Sequence, residues 1–289
     1  MTRTAGVWRS SAAKFDASGP TLWDAQVESL LPSASGVGLC VLASSSSGNC
    51  SVIVHGEGRL RRATLVDAGL SPARTRLMLA SMGLDLSCVD EVLLTHLDAD
   101  HFHAGWVKGL PTTARLCVHR AHRGRAERSG AACRPLEVFE GELKLRCGAR
   151  VRPVVMSHDS LGVVSFRIDW SDASLGYATD LGRITPGFVG AMSGVDVLAI
   201  ESNYCPKLQH ASDRPEFLKR RIMDGAGHLS NEECGRAVRS IGPRRHVVLL
   251  HLSRECNDPE LAASHHLQAG YRLTVARADE PTPAVMLLD

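Results

Sequence analysis

The stretch Thr95-His96-Leu97-Asp98-Ala99-Asp100-His101 follows the apolar run Val92-Leu93-Leu94 directly. From His96 to His101 it sets two imidazoles and two carboxylates within one short turn of chain. A buried strand that ends in such a set reads as a metal-binding loop. Imidazole nitrogen and carboxylate oxygen together suit zinc, manganese or iron better than calcium or magnesium. The competing reading is a polar turn in which Asp100 caps a helix beginning at His101. A turn has little need of two histidines and two acids, so the metal reading is preferred.

That reading calls for further ligands downstream, and candidates stand at other strand ends. His158-Asp159 follows Val151–Ser157, Asp180 follows Gly176-Tyr177-Ala178-Thr179, and His251 ends the run Val247-Val248-Leu249-Leu250. Periodicity predicts strands over Val37–Ala43, Cys50–His55, Ala63–Asp67, Glu91–Thr95, Arg115–His119, Val151–Ser157, Val163–Asp169 and Ser174–Thr179. Further strands are expected over Val195–Ile200, His246–His251, Tyr271–Ala276 and Ala284–Leu288. Helical patterns fall over Pro72–Met82, His101–Lys108, Ala121–Arg128, Thr185–Met192, Pro215–Asp224, Asn231–Ile241 and Pro259–Ala269. Ser230 followed by Asn231-Glu232-Glu233 reads as a capped helix start. Helices interspersed among hairpin-spaced strands in both halves fit an α+β class, two mixed sheets packed face to face with helices outside.

The 289 residues are 44% hydrophobic but only 4% aromatic, so the core must rest on Val, Leu, Ala and Ile. Residues 1–35 show no sustained period and are expected to be a poorly ordered extension, with a short helix around Thr21–Leu31. Residues 36–289 are expected to form a single domain. The 9 cysteines form no CxxC pair, which suits reduced thiols in a cytoplasmic protein better than a disulfide framework. No run approaches ~20 apolar residues, and no apolar segment follows Arg3 and Arg9, so neither a membrane span nor a signal peptide is expected.

Thr-His-x-Asp-x-Asp-His resembles the His-x-His-x-Asp-His signature of the metallo-β-lactamase superfamily, with Asp98 where the second histidine is usual. Thr64-Leu65-Val66-Asp67-Ala68-Gly69 resembles the superfamily's upstream strand, whose Asp braces the metal loop. Within the superfamily the chain is most similar to the YycJ/WalJ-type exonucleases. The matching segments are Ala43–Cys50, Asp67–Ser71, Ser157–Asp159, Thr179–Gly182, Glu201–Tyr204, Leu218–Ile222, Gly227–Asn231 and His251–Arg254, in the family's order.

The resemblance implies a four-layer αββα sandwich and a metal-dependent hydrolase with two divalent ions. His96, Asp98 and His158 would hold one ion, Asp100, His101 and His251 the other, with Asp180 bridging. Exchanging imidazole for the Asp98 anion hardens the first site and shifts preference from zinc toward manganese or iron. Asp100, His228 and Glu201 are the implied catalytic residues, Glu201 orienting His228 by a hydrogen bond. His228 is also the rival to His251 for the last ligand position. Ser46, Asn49, Asn203, Ser230 and Asn231 are the expected substrate contacts, although Ser44–Asn49 reads more simply as a hairpin turn than as an anion cradle.

The implied activity is cleavage of phosphodiester bonds, as a DNA exonuclease directed at 5′ ends. Basic segments at Arg115–Arg128, Lys219-Arg220-Arg221 and Arg244-Arg245 would suit a nucleic-acid backbone, DNA before RNA. No aromatic residue is read as interleaving them, so base stacking is not expected. Two other readings stand beside this one: a small-molecule phosphodiesterase or (thio)ester hydrolase of the same fold, and a non-catalytic metal-binding protein.

Overall fold

Strand β1 (Val37–Ala43) is buried along its whole length, and its side chains divide by parity. Leu39 and Val41 enter one core while Cys40 and Leu42 enter another. A strand buried on both faces needs a layer on each side of its sheet, and the computed structural model, which describes residues 36–56, 60–158, 161–267 and 269–288, supplies both.

The chain first lays down β1, β2 (Cys50–His55), β3 (Arg62–Val66), β4 (Val89–Leu94), β5 (Arg115–His119) and β6 (Leu136–Phe139) side by side. It then builds a second sheet from β7 (Leu143–Lys144), β8 (Arg150–Met156), β9 (Val163–Asp169), β10 (Ser174–Ala178), β11 (Val197–Glu201), β12 (His246–Leu250) and β13 (Arg272–Val275). Strand β14 (Val285–Leu288) returns to the first sheet beside β1, giving two seven-stranded sheets. In each, antiparallel pairing gives way to parallel: from β3 onward in the first, from β10 onward in the second.

Three apolar layers separate these sheets and their helices. Leu39, Ile53, Val66 and Leu93 of the first sheet meet Val164, Phe166, Tyr177 and Val248 of the second. Helix α1 (Pro72–Ser81) and the short α2 (Trp106–Gly109) cover the first sheet's outer face through Leu79 and Trp106, as does α3 (Arg123–Arg128) through Ala126. On the second sheet's outer face lie α4 (Pro186–Met192) and, after α5 (Pro206–Ala211) and α6 (Glu216–Met223), α7 (Asn231–Ile241) and α8 (Pro259–Ser264). There Phe188, Val238, Ile241 and Ala262 pack on Leu198, Ile200 and Leu249. The result is the αββα sandwich.

Predicted and observed strands agree closely where both faces are buried; β1, β2, β5 and β9 have the expected bounds. The expected helix over His101–Lys108 is corrected: only Trp106–Gly109 is helical. The backbone of His101–His103 is engaged elsewhere, for Ala68 N–H donates to His101 C=O and His103 N–H to Ala68 C=O, each at 2.8 Å. Those bonds hold the segment extended and remove the helix that Asp100 would have capped. Strands β6 and β7 and helix α5 were not anticipated, and α8 stops at Ser264. The expected helix at Thr21–Leu31, like the whole 1–35 extension, lies outside the described residues.

The topology brings carboxyl ends together. Asp67 follows β3, His96 follows β4, His158 follows β8, Asp180 follows β10, Glu201 ends β11 and His251 follows β12. Ligand crevices of open α/β sheets form at such ends, and here both sheets contribute to one.

Candidate metal centre

Asp67, Asp180 and His251 leave their strands in left-handed backbone conformation, with φ of 60°, 55° and 55°. They are the described non-glycine residues with positive φ. An L-residue there gives up ~1–2 kcal/mol, so three such residues in one site mark a backbone held by its surroundings. The reversal at each position turns the side chain back over the end of its sheet.

Asp67 is fully buried and organises the loop after β4. Its carboxylate accepts Thr95 N–H at 2.8 Å, the Thr95 hydroxyl at 2.9 Å and His101 Nδ1–H at 2.7 Å. With its hydroxyl proton committed to Asp67, Thr95 Oγ1 accepts from His96 Nδ1 at 3.0 Å. His158 Nδ1 donates to Gly227 C=O at 3.0 Å. Three histidines therefore commit Nδ1 to a hydrogen bond and turn Nε2 inward, the arrangement that orients metal-binding imidazoles. Asp67→Asn keeps the shape and removes the charge that fixes His101. A chelator-dye competition titration is expected to show metal affinity about 10–100-fold weaker.

The inward atoms fit divalent cations. His101 Nε2 lies 2.8 Å from Asp180 Oδ2 and 3.5 Å from Asp100 Oδ2. A ring nitrogen facing two carboxylates calls for a positive charge, either a proton on the ring or a cation between the groups. Burial pushes the His101 pKa down, yet Asp180 and Asp67 overcome it and raise it well above the usual imidazole value. Burial likewise disfavours the Asp180 charge, but His251 and His101 hold its pKa well below the carboxylate range. His251 Nε2 is buried with no hydrogen-bond partner, 3.9 Å from Asp100 Oδ2. Donor atoms converge in overlapping groups: His96, Asp98 and His158; His96, His101 and Asp180; Asp100, His101 and His251. Within each group the atoms lie within 4.8 Å of one another.

Asp98 faces two ways. Its Oδ2 is 3.6 Å from His96 Nε2, while Oδ1 pairs with the guanidinium of Arg125. The His96 hydrogen bond, with the His96 and Arg125 charges, lowers its pKa against the opposing effect of burial. The added anion thus comes with its own cation, and Asp98 with Arg125 is as neutral as the imidazole it replaces.

Glu201, buried at the end of β11, is a second brace. One oxygen accepts Leu181 N–H at 2.7 Å and Leu229 N–H at 3.3 Å, and the other accepts His228 Nδ1–H at 2.6 Å. His228 Nδ1 is also 3.5 Å from Asp180 Oδ1. Burial opposes protonation of His228, but the Glu201 charge and hydrogen bond, with Asp180 and Asp100, raise its pKa to about 9.

Above these groups opens a cleft of about 530 Å3, lined by His96, Asp98, Asp100, His158, Asp180, His228 and His251. Of the expected substrate contacts, Ser46 and Asn203 line it. Asn49, Ser230 and Asn231 do not line it. Asn49 is buried beneath the centre, accepting from the Ser44 hydroxyl at 3.0 Å and placing Nδ2 3.0 Å from His101 Nε2. Ser230 caps α7 in a capping box with Glu233. Asn231 accepts from the Ser202 hydroxyl at 2.7 Å. His103 Nδ1 accepts Gly105 N–H away from the ligands, and Asp159 lies outside the described residues.

The basic segments are largely neutralised. Arg115 pairs with Glu91 and Glu137, Arg120 with Glu140, Arg123 with Glu127, and Arg244 with Asp196. Lys219 is buried against His210 C=O and Glu216. Among the described residues Arg214 and Arg221 line the cleft, Arg214 paired with Glu255 at 2.8 Å, and only Arg221 belongs to a basic segment expected from sequence.

Residues 62–252 match the family model described as a beta-lactamase superfamily domain. The chain is 30% identical over 229 residues to exodeoxyribonuclease WalJ of Streptococcus pneumoniae, covering 77% of this chain and 84% of that one. It is 29% identical over 237 residues to exodeoxyribonuclease YycJ of Bacillus anthracis, covering 78% and 86%. Among solved structures, the metallo-beta-lactamase fold protein YhfI of Bacillus subtilis superposes with a TM-score of 0.64 at 15% identity, covering 86% of this chain and 99% of that one.

Proposed function

Because the chain belongs to the beta-lactamase superfamily, as a hydrolase of the metallo-β-lactamase fold, we propose that it is a metal-dependent exonuclease that shortens DNA from its 5′ end. The carrying observation is the convergence of inward-facing imidazole nitrogens and carboxylates from both sheets on one cleft, with Arg214 and Arg221 on its wall. The names of the 30%- and 29%-identical relatives support DNA as substrate and an exonucleolytic mode, and the family resemblance supports the 5′ polarity.

His96, Asp98 and His158 would hold one cation and Asp100, His101 and His251 a second, with Asp180 between them. Manganese, zinc or iron bound there supplies a Lewis acid that lowers the pKa of water and offsets charge building on the attacked phosphorus. Asp100, a quarter exposed, accepts a hydrogen bond from the attacking water and orients it. Arg214 and Arg221 hold the non-reacting phosphate oxygens by charge-assisted hydrogen bonds. His228, its Nδ1 proton fixed on Glu201, presents Nε2 to the cleft. There it gives a proton to the leaving oxygen as the P–O bond breaks, and Glu201 stabilises the imidazolium beforehand.

The test is purified protein with manganese and duplex DNA labelled separately at each 5′ and 3′ end. Early release of the 5′ label as mononucleotide, abolished by a chelator, is the expected result. His228→Ala is expected to slow that release by about 10²–10⁴-fold. Cleavage of a cyclic or aryl phosphodiester with DNA left intact would overturn the reading in favour of a small-molecule phosphodiesterase.

A further inference from the structure

Asp98 belongs to the metal loop, yet it is also joined to helix α3. Strand β5 runs parallel to β4 at its side, so the chain leaving β5 emerges beside the loop that follows β4. It turns through Arg120–His122 into α3, which Ala126 seats in the outer core. That seat brings the Arg125 guanidinium onto Asp98 Oδ1, while Oδ2 stays 3.6 Å from His96 Nε2 in the group that includes His158. Arg125 also lines a second cavity of about 460 Å3 together with His96, Asp98, Asp100 and His158. The guanidinium therefore stands at the edge of the proposed first cation position.

Asp98 draws its stabilising charge from His96 first and from Arg125 second. His96 supplies it only while Nε2 carries a proton, and a metal ion on Nε2 displaces that proton. His122, three residues before Arg125, is buried with neither ring nitrogen partnered. Burial, with the His96, His119 and Arg125 charges, lowers its pKa to about 4, so it stays neutral. Once a cation is bound, Arg125 is the group left to balance Asp98. The pair then offers an oxygen donor without net charge. That donor is harder than imidazole nitrogen, but the charge it presents to the ion is the same. Within the basic segment Arg115–Arg128, Arg125 is thus engaged at the metal site rather than offered to a nucleic acid.

Resting on the two-cation reading above, we propose that Asp98 and Arg125 act as one unit in place of an imidazole, Arg125 setting the metal affinity of the first position through Asp98. A histidine at position 98 is then tolerated only when Arg125 is also removed. With Arg125 present, that imidazole would leave the guanidinium unpaired beside a dication, and an uncompensated like charge opposes binding. Removing Arg125 alone returns the carboxylate to full charge, which a cation favours.

The test is zinc binding to metal-free protein, by competition with a chelating dye, in wild type, Asp98→His, Arg125→Met and the double variant. Asp98→His is expected to weaken one bound ion about tenfold, the low end of the range for disturbing a ligand's partner. The low end applies because Asp98 and Arg125 are 29% and 38% exposed, so water screens the pair. Adding Arg125→Met should restore the wild-type affinity, and Arg125→Met alone should not weaken it. An arginine that served only to pack α3 would give no such rescue, since the double variant would combine both losses. Melting temperatures of the metal-free forms report whether all four fold. Should Asp98→His not fold, Asp98→Asn takes its place, with loss and recovery expected in the same directions. Asp98→His as tight as wild type, a double variant as weak as Asp98→His, or Arg125→Met weaker than wild type each overturns the unit and leaves the nuclease reading to the DNA assay. A wild type that binds no zinc removes the two-cation reading and the unit together.

Discussion

Asp180→Asn is expected to lower kcat/KM for DNA by on the order of 10³-fold, about 4 kcal/mol of transition-state stabilisation. Elemental analysis of the purified variant should show a fall in bound metal. The substitution is nearly isosteric, so packing is preserved and the effect isolates charge. Asp180 Oδ2 stands 2.8 Å from His101 Nε2, and Oδ1 stands 3.1 Å from His251 Nδ1. A neutral amide there removes the anion shared by the two proposed cation positions and points N–H donors at the inner ring nitrogens. Unchanged metal content together with an unchanged rate would dismiss the assignment of this centre.

Gly69→Ala is expected to be the most damaging glycine-to-alanine change among the described residues. A Cβ at this position would lie 1.8 Å from the Asp100 carbonyl oxygen and 2.8 Å from Asn49 N. Those are backbone atoms already fixed to each other, since Asn49 N–H donates to Asp100 C=O at 2.7 Å and Gly69 N–H to Asn49 C=O at 2.8 Å. No rotamer change relieves the contact. Ordinary overpacking costs ~1–3 kcal/mol, and a clash with backbone should reach or exceed the top of that range. Thermal melting with and without metal is the measurement. A variant that does fold should bind metal poorly, because Asp100 has moved. Gly190→Ala, inside α4 with nothing within 4 Å of its Cβ, should instead stabilise by up to about 1 kcal/mol. Equal melting temperatures for the two would count against the close approach.

The strands were legible because sheets covered on both faces write themselves as unbroken apolar runs. Val37–Ala43 and His246–Leu250 needed no tertiary knowledge. Two of the four edge strands carry no such signal: Leu136–Phe139 has two exposed central residues and Leu143–Lys144 is two residues long. The helix expected from His101 failed because long-range bonds from Ala68 captured its backbone, which no local pattern announces. The inward histidines were visible as strand-end residues. Their orienting partners divide: Asp67 and Glu201 came through family resemblance, while the Gly227 carbonyl behind His158 has no side-chain signature at all. The sequence around Ser230 admits both a helix cap and a substrate contact, and the Ser-x-x-Glu spacing to Glu233 favours the cap. Arg214 has no local sequence signature because its place on the cleft wall depends on Gln209, Ser253 and Glu255, which lie up to 41 residues away.

The seam between the sheets has a mechanical consequence. His96, Asp98, Asp100 and His101 hang from the first sheet, whereas His158, Asp180 and His251 hang from the second. Cations shared across that seam would act as a cross-link, tying chain segments that otherwise adhere through apolar contact and a few bonds such as Val164 N–H to Thr95 C=O. Occupancy would then couple catalysis to cohesion: ligand binding to the native state alone stabilises that state in proportion to the logarithm of free metal. A cell's metal supply would set both how fast this protein works and how long it lasts.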